Sequence, residues 1–199
     1  MSPFHQALRR VRRDLVQLKA HWAFVGGIAI AARAYPRFTN DLDVAVAVAS
    51  DSAAEALVFG LRQRGYEFVS QLERDDGRLA LVRLALPTPR GPAIVVDLLF
   101  ALSGIEAEAV AAADPITVNQ KLLAPVAQAG HLVVMKLVSV GDHRDHDQRD
   151  LLRLLRDIDP VELARAREAI DLVIERGQTR GRDLFAMLDA YLLRAPTAE

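Results

Sequence analysis

Apolar residues change their spacing along this chain, and each change marks an element. Phe4, Leu8, Val11, Leu15 and Leu18 recur at helical intervals, which predicts an amphipathic helix over Pro3–Ala20. Trp22–Val25 is a short apolar run closed by Gly26-Gly27, the pattern of a buried strand and a tight turn. The Ala-rich stretch Ile28–Ala34 then predicts a helix that ends before Pro36, because a residue preceding proline disfavours helical geometry. Leu42–Val48 carries Val and Ala on both alternating faces, as a strand buried on two sides does. Asp51 or Ser52 is placed to cap a helix that runs to Arg64 and closes at Gly65. Extended structure is expected at Tyr66–Gln71, a turn at Asp75-Asp76-Gly77, and a strand at Arg78–Leu86. Ile94–Phe100 is a further apolar strand with Asp97 at its centre. Ile116–Val118 and Leu122–Ala124 read as short edge strands limited by Pro115 and Pro125. From Gln128 onward the spacing is helical over 128–140, 145–157, 160–176 and 180–194, with breaks at Gly141, Pro160 and Gly177.

This order predicts an α+β fold: a mixed β-sheet core with flanking helices over 1–125, then a helical C-terminal part, 126–199, packed on that core. The 199 residues contain no internal repeat and no long linker, and 51% of them are hydrophobic, enough to bury a sizeable core. With 25 basic and 26 acidic residues the net charge is −1, which argues against nucleic-acid binding through bulk charge and leaves a local patch as the alternative. The absence of cysteine excludes a disulfide scaffold, a thiolate metal site and a cysteine nucleophile. No apolar run approaches the ~20 residues of a membrane span, and the N-terminal helix has no signal-peptide character. A cytoplasmic enzyme or binding protein is the expectation.

Chemistry concentrates in two places. Asp41 and Asp43 stand at i and i+2 on a strand and so share one face. Two adjacent carboxylates in an apolar frame are costly unless a cation joins them, and Mg²⁺ takes oxygen ligands. Asp97 is a third carboxylate in an apolar strand; it joins the cluster if its strand neighbours that of Asp41 and Asp43. The competing reading makes Asp41 a turn cap and Asp43 part of a solvated face, against which stand the Val and Ala on both faces. Gly26-Gly27, between a strand and a helix, lets backbone amides approach an anion. Lys136 lies in the apolar run Leu132–Val138. It is either a lysine snorkelling from a core helix or a cation reaching a phosphate. In His143–Asp150, a dense charge run, the two histidines lack the carboxylate-rich apolar frame of a metal site, and Asp147 is either an N-cap or a rival to Asp150.

Taken together, Gly26, Gly27, Asp41, Asp43 and Asp97 resemble the signature of the nucleotidyltransferase superfamily with a DNA-polymerase-β-like core. Arg37-Phe38-Thr39-Asn40-Asp41-Leu42-Asp43, followed by Lys136, Arg144 and Asp150-Leu151-Leu152-Arg153-Leu154, is most similar to the AbiEii-type toxin nucleotidyltransferases. The likeness covers about residues 22–156. It implies transfer of a nucleoside monophosphate from an NTP to an acceptor hydroxyl on RNA, tRNA or protein, with a cognate antitoxin as a partner. It also implies a two-metal Mg²⁺ site on Asp41, Asp43 and Asp97. Gly26, Gly27, Arg37, Thr39, Lys136 and Arg144 would face the nucleotide, and Asp150 would join the catalytic set. The alternatives are an antibiotic nucleotidyltransferase acting on a small hydroxyl compound, a phosphotransferase using the same metals, and a catalytically silent nucleotide- or partner-binding module. The N-terminal helix, with Arg9, Arg10, Arg12, Arg13 and Lys19 against Asp14, is either a solvated face or a surface for RNA phosphates.

Overall fold

The computed structural model describes residues 2–36, 38–89, 91–118, 122–140 and 145–195, with backbone alone for 145 and 146. Its centre is a mixed sheet in the order β3-β4-β5-β2-β1-β7-β6. The strands are β1 (His21–Phe24), β2 (Asp41–Ala47), β3 (Glu67–Glu73), β4 (Leu79–Leu86), β5 (Ile94–Leu99), β6 (Asp114–Val118) and β7 (Leu122–Val126). β2 runs parallel to β5 and antiparallel to β1, so the middle of the sheet is apolar and covered on both faces. Leu42, Val44, Ala45, Val46, Val96 and Leu98 are all fully buried there.

Helices α1 (Pro3–Gln17), α2 (Gly26–Arg33), α3 (Asp51–Arg62) and α4 (Glu106–Ala111) flank the sheet. Ser2 caps α1 by accepting from the His5 amide, and Pro3 starts it at the position where a missing N–H costs nothing. Leu8, Val11 and Leu15 on its inner face are buried. The cap of α3 is Ser50, which accepts from the Ala53 amide, rather than Asp51 or Ser52. Asp51 stands instead inside the first turn, where its charge complements the helix dipole.

The C-terminal helices are α5 (Ala129–Ser139), α6 (Asp145–Arg156), α7 (Pro160–Glu175) and α8 (Leu184–Arg194). Leu132, Val133, Leu137, Leu151, Ile170 and Leu188 join the same apolar cluster as the sheet residues. Gly130 permits the close approach of α5 to α7: a Cβ there would stand 2.4 Å from the Glu162 carbonyl oxygen. Glu162 in turn accepts from the Gly130 amide at 2.7 Å and so satisfies the start of α5.

Two features depart from the sequence expectation. β7 is an interior strand, joined to β1 through Phe24 and Val126, so of the two expected edge strands β6 alone lies at an edge, with β3 at the opposite one. Pro125 is tolerated because it faces Pro115 across the β6–β7 pair, so both missing donors fall at one place. The second is α4, six residues long and preceded by a loop that Glu106 organises. Its carboxylate accepts from the Ser103 amide and hydroxyl, both at 2.6 Å, and from the Gly104 amide at 2.9 Å. Among the described residues, no helix is long and apolar enough to cross a membrane.

Candidate active site

Strand pairing sets three charged residues in one row across the sheet. Arg83 on β4 faces Asp97 on β5, and Asp97 faces Asp43 on β2. Asp41, two residues before Asp43, shares that face at the exposed end of β2. The row forms one wall of a cavity of about 530 Å³. Gly26, Asp41, Asp43, Arg83, Asp97, Lys136 and Asp147 line it.

Gly26 begins α2 directly against Asp43. Its φ of +56° lies in the left-handed region, and a Cβ there would fall 2.0 Å from Asp43 Oδ2. Only glycine satisfies both demands. The Gly27 amide donates to the same oxygen at 3.4 Å. The turn therefore presents backbone amides beside a carboxylate, at the N-terminus of a helix. Asp43 has its pKa raised to about 6, first by desolvation and then by the nearby Asp97 charge; the Gly27 amide and Lys136 act in the opposite direction.

The three carboxylates differ in their partners. Asp97 is buried, and Arg83 grips both its oxygens, Nε to Oδ1 at 2.8 Å and one terminal nitrogen to Oδ2 at 2.6 Å. That bidentate bond raises the Arg83 pKa further above its ordinary value. Among the described residues, no Arg or Lys lies in an ion pair with Asp41 or Asp43. Two carboxylates on one strand face without a cationic partner are a donor set suited to a hard divalent cation. Asp97 fits the same ion only by sharing an oxygen with Arg83, and among the described residues no three acidic, imidazole or thiolate groups form a finished metal cage. Arg83 was not foreseen from the sequence, although a lone charge in the apolar run Leu79–Leu86 is the same kind of signal as Asp97.

Lys136 projects from α5 into this cavity, partly buried. Its Nζ stands 2.6 Å from Asp147 Oδ1 and 3.3 Å from Asp150 Oδ2. Both aspartates lie within α6; Asp150 is buried behind the lysine, whereas Asp147 reaches the cavity wall. Asp147 and Asp150 both lie inside the helix expected over 145–157, and both bond Lys136, so Asp147 is a partner of the lysine and not only a cap candidate. The Thr39 hydroxyl donates to the Asp41 carbonyl at 3.2 Å and supports the entry to β2. Arg37, His143 and Arg144 lie outside the described residues, as does the His146 side chain.

With this geometry in view, comparison with known proteins is decisive for the family. The model of the family described as nucleotidyl transferase AbiEii toxin, Type IV TA system, matches residues 6–197. The chain belongs to the AbiEii nucleotidyltransferase toxin family. It is a nucleotidyltransferase by that membership. Its fold is similar to that of an antigenic nucleotidyltransferase-like protein from Paracoccidioides brasiliensis, at 16% identity and a TM-score of 0.56, covering 99% of this chain and 94% of the other. The antibiotic-resistance factor ANT(2'')-Ia matches with a TM-score of 0.47 and 14% identity, covering 94% of this chain and 95% of its own. The RNA terminal uridylyl transferase Cid1 matches with a TM-score of 0.38 and 19% identity, over 55% of this chain and 34% of its own. No curated protein matches the chain.

Proposed function

We propose that this nucleotidyltransferase moves an NMP from an NTP to a hydroxyl of an RNA acceptor such as tRNA, as the toxin of a cytoplasmic toxin–antitoxin pair. The observation that carries the transfer chemistry is the close approach of Gly26 to Asp43, which puts a glycine turn at a helix start in one cavity with two carboxylates that have no Arg or Lys ion-pair partner among the described residues. Asp41 and Asp43 would hold Mg²⁺, and Asp97 would complete the set for a second ion. Bound there, the ions would neutralise charge on the phosphates and on the attacking and leaving oxygens.

The chain's own groups do the rest. The amides at Gly26-Gly27 cradle the triphosphate at the start of α2. Asp97, between Arg83 and Asp43 in the row, orients the incoming hydroxyl or takes its proton. Lys136, fixed by Asp147 and Asp150, neutralises charge on the departing pyrophosphate; the family resemblance assigns Arg37 and Arg144 to the nucleotide as well. Thr39 lines a separate cavity beside α1, away from the nucleotide-facing place the sequence suggested, and acts on this site only by holding the entry to β2. Residues 1–125 form the catalytic core in this reading, and 126–199 the helical part that supplies Lys136.

One observation favours the small-acceptor alternative. Arg10, Arg12 and Arg13 of α1 are engaged with the fold itself: with the Arg64 carbonyl, the Leu123 carbonyl and Asp14. That leaves less of the helix for RNA phosphates. The deciding experiment incubates the protein with each α-labelled NTP, Mg²⁺ and either total RNA or a panel of small polyols and aminoglycosides. Label on RNA with release of pyrophosphate is the expected result. Label on the small compounds alone overturns the acceptor, and NTP binding without pyrophosphate release overturns the enzyme.

A further inference from the structure

The Arg83–Asp97 pair is an unusual arrangement for a site that works through carboxylates. The Asp97 side chain is 7% exposed and both its oxygens are engaged, whereas the Arg83 side chain is 44% exposed and lines the cavity. Arg83 therefore stands on the solvent side of Asp97. Among the described residues, a cation entering from the cavity meets Asp41 and Asp43 without an ion-paired rival, but meets Asp97 only beside a guanidinium. The row Arg83–Asp97–Asp43 carries one cation beside two carboxylates that repel each other, so Arg83 offsets Asp97 and leaves the charge of Asp43 uncompensated within the row.

We propose that Arg83 is the resident counter-ion of Asp97, holding that carboxylate while no divalent cation is bound, yielding it when one binds, and so setting how tightly the site takes the metal. This rests on the reading of Asp41, Asp43 and Asp97 as the metal-holding set. Each carboxylate oxygen has two lone pairs, so Asp97 has room to pass from a bidentate fork to a shared arrangement. A guanidinium and a divalent ion on one carboxylate repel each other, so occupancy by either weakens the other, and the coupling is reciprocal. The freed guanidinium stays at the cavity wall, where its planar fork suits a phosphate oxygen. Arg83 is a positioning residue here, acting on the metal through Asp97.

A purely structural ion pair makes the opposite forecast. If Arg83 serves only to fix Asp97, its loss disorders the third carboxylate and weakens metal binding. The test is Mn²⁺ binding to the protein without nucleotide, followed by the loss of the free-ion signal in electron paramagnetic resonance, for wild type, R83M and R83K. We expect about tenfold tighter Mn²⁺ in R83M, within the usual range of coupling between two sites. R83K keeps a charge but loses the fork, and about threefold tightening is expected. The rise in melting temperature on adding Mn²⁺ should follow the same order. If R83M does not fold, R83K decides alone, since it retains a cation for the buried carboxylate. Equal or weaker Mn²⁺ binding in the folded variants, with wild type binding normally, overturns the role of Arg83 and leaves the metal reading intact. No Mn²⁺ binding by wild type or either variant overturns the metal reading itself, and this proposal with it.

Discussion

Asp14 and Asp43 are both aspartates set among apolar side chains, and they have opposite surroundings. Asp14, on α1, is 1% exposed and saturated. It accepts from two nitrogens of Arg13 at 2.9 and 2.8 Å, from the Tyr66 hydroxyl at 3.1 Å, and has Arg10 at 3.6 Å. Arg10 also stacks over the Tyr66 ring, and burial beside Asp14 pushes the Tyr66 phenol above its ordinary pKa. Asp43 has one long amide bond, a like charge for a neighbour and a cavity in front of it. The first is a closed electrostatic unit that pins α1 to the start of β3. The second is left unbalanced, and imbalance of this kind marks a place where something else is meant to bind.

The sharpest way to break this contrast is to delete the unbalanced acid. Asp43→Ala should lower nucleotidyl transfer by about 10³-fold or more, the scale seen when a group stabilising developing charge is removed. Its melting temperature should stay level or rise, because repulsion with Asp97 is relieved and Gly26 loses no support. Transfer of labelled nucleotide and thermal unfolding of the same preparation check both halves. Substantial residual transfer would move the chemistry away from β2.

How far the sequence allowed this contrast to be read depends on the range of the interactions. Alternation on β2 put Asp41 and Asp43 on one face, and Gly26-Gly27 stood between a strand and a helix; both are local facts. That β5 lies parallel beside β2, setting Asp97 opposite Asp43, is a pairing decision that depends on the whole sheet. Arg83 needed two such decisions, the neighbour of β4 and its register. The Asp14–Tyr66 bond spans residues far apart in the chain, and no local pattern announces it. Ser50 against Asp51 as a cap is a choice between adjacent good cappers, decided by where the chain leaves β2. β7 looked like an edge because of Pro125, since the strand's narrow junction with β1 at Val126 is invisible in composition. α4 is too short for periodicity to reveal. Its buried Glu106 ties down the loop before it, while Glu108 pairs with Arg176 at the end of α7.

His131 tests whether lack of a partner is enough to signify function. It is 5% exposed, its Nδ1 has no hydrogen-bond partner, and it lies on α5 away from the cavity-lining set. Desolvation, then the Arg165 charge, lowers its pKa from 6.5 to about 4, against the opposite pull of Glu162 and Glu108. The folded state thus binds fewer protons than the unfolded state between these values. The stabilisation is complete above pH 6.5 and is lost as pH falls towards 4. It amounts to about 3 kcal/mol. The stability of wild type relative to His131→Leu should therefore fall by about 3 kcal/mol as pH is lowered from 7 to about 4, measured by urea unfolding. Parallel curves would show that the imidazole titrates normally in the folded chain. Activity at pH 7 should be unchanged in the variant, separating a buried group with no task from one facing a cavity.

Deleting the saturated acid gives a smaller and opposite result to Asp43. Asp14→Ala orphans the Tyr66 hydroxyl but leaves Arg13, largely exposed, free to turn to water. The expected cost is about 2 kcal/mol, or roughly 5 °C in melting temperature for a chain of this size. Transfer assayed well below that temperature should match wild type. Loss of transfer in a folded Asp14→Ala protein would mean that α1 is coupled to the cavity, and the two acids could no longer be treated as independent.

The smallest effect concerns the arginines around Asp14. Arg10, Arg12 and Arg13 all bond to the fold, whereas among the described residues Arg9 is exposed and has no hydrogen-bond or ion-pair partner. If α1 faces RNA, Arg9 is the arginine best placed to contact a phosphate without first breaking an internal contact. Arg9→Gln should then reduce the slope of log K against log salt by about 0.9, the release of one phosphate's counterions. Binding at ordinary salt should weaken less than about tenfold, and NTP binding should not change, because the Gly26-Gly27 turn lies elsewhere. Arg12→Gln is the control that sharpens the reading: it removes the bond to the Leu123 carbonyl and should register in stability rather than in the salt slope. A salt slope unmoved by Arg9→Gln, with RNA still labelled, would make α1 a structural helix throughout and shift the acceptor surface to the cavity rim.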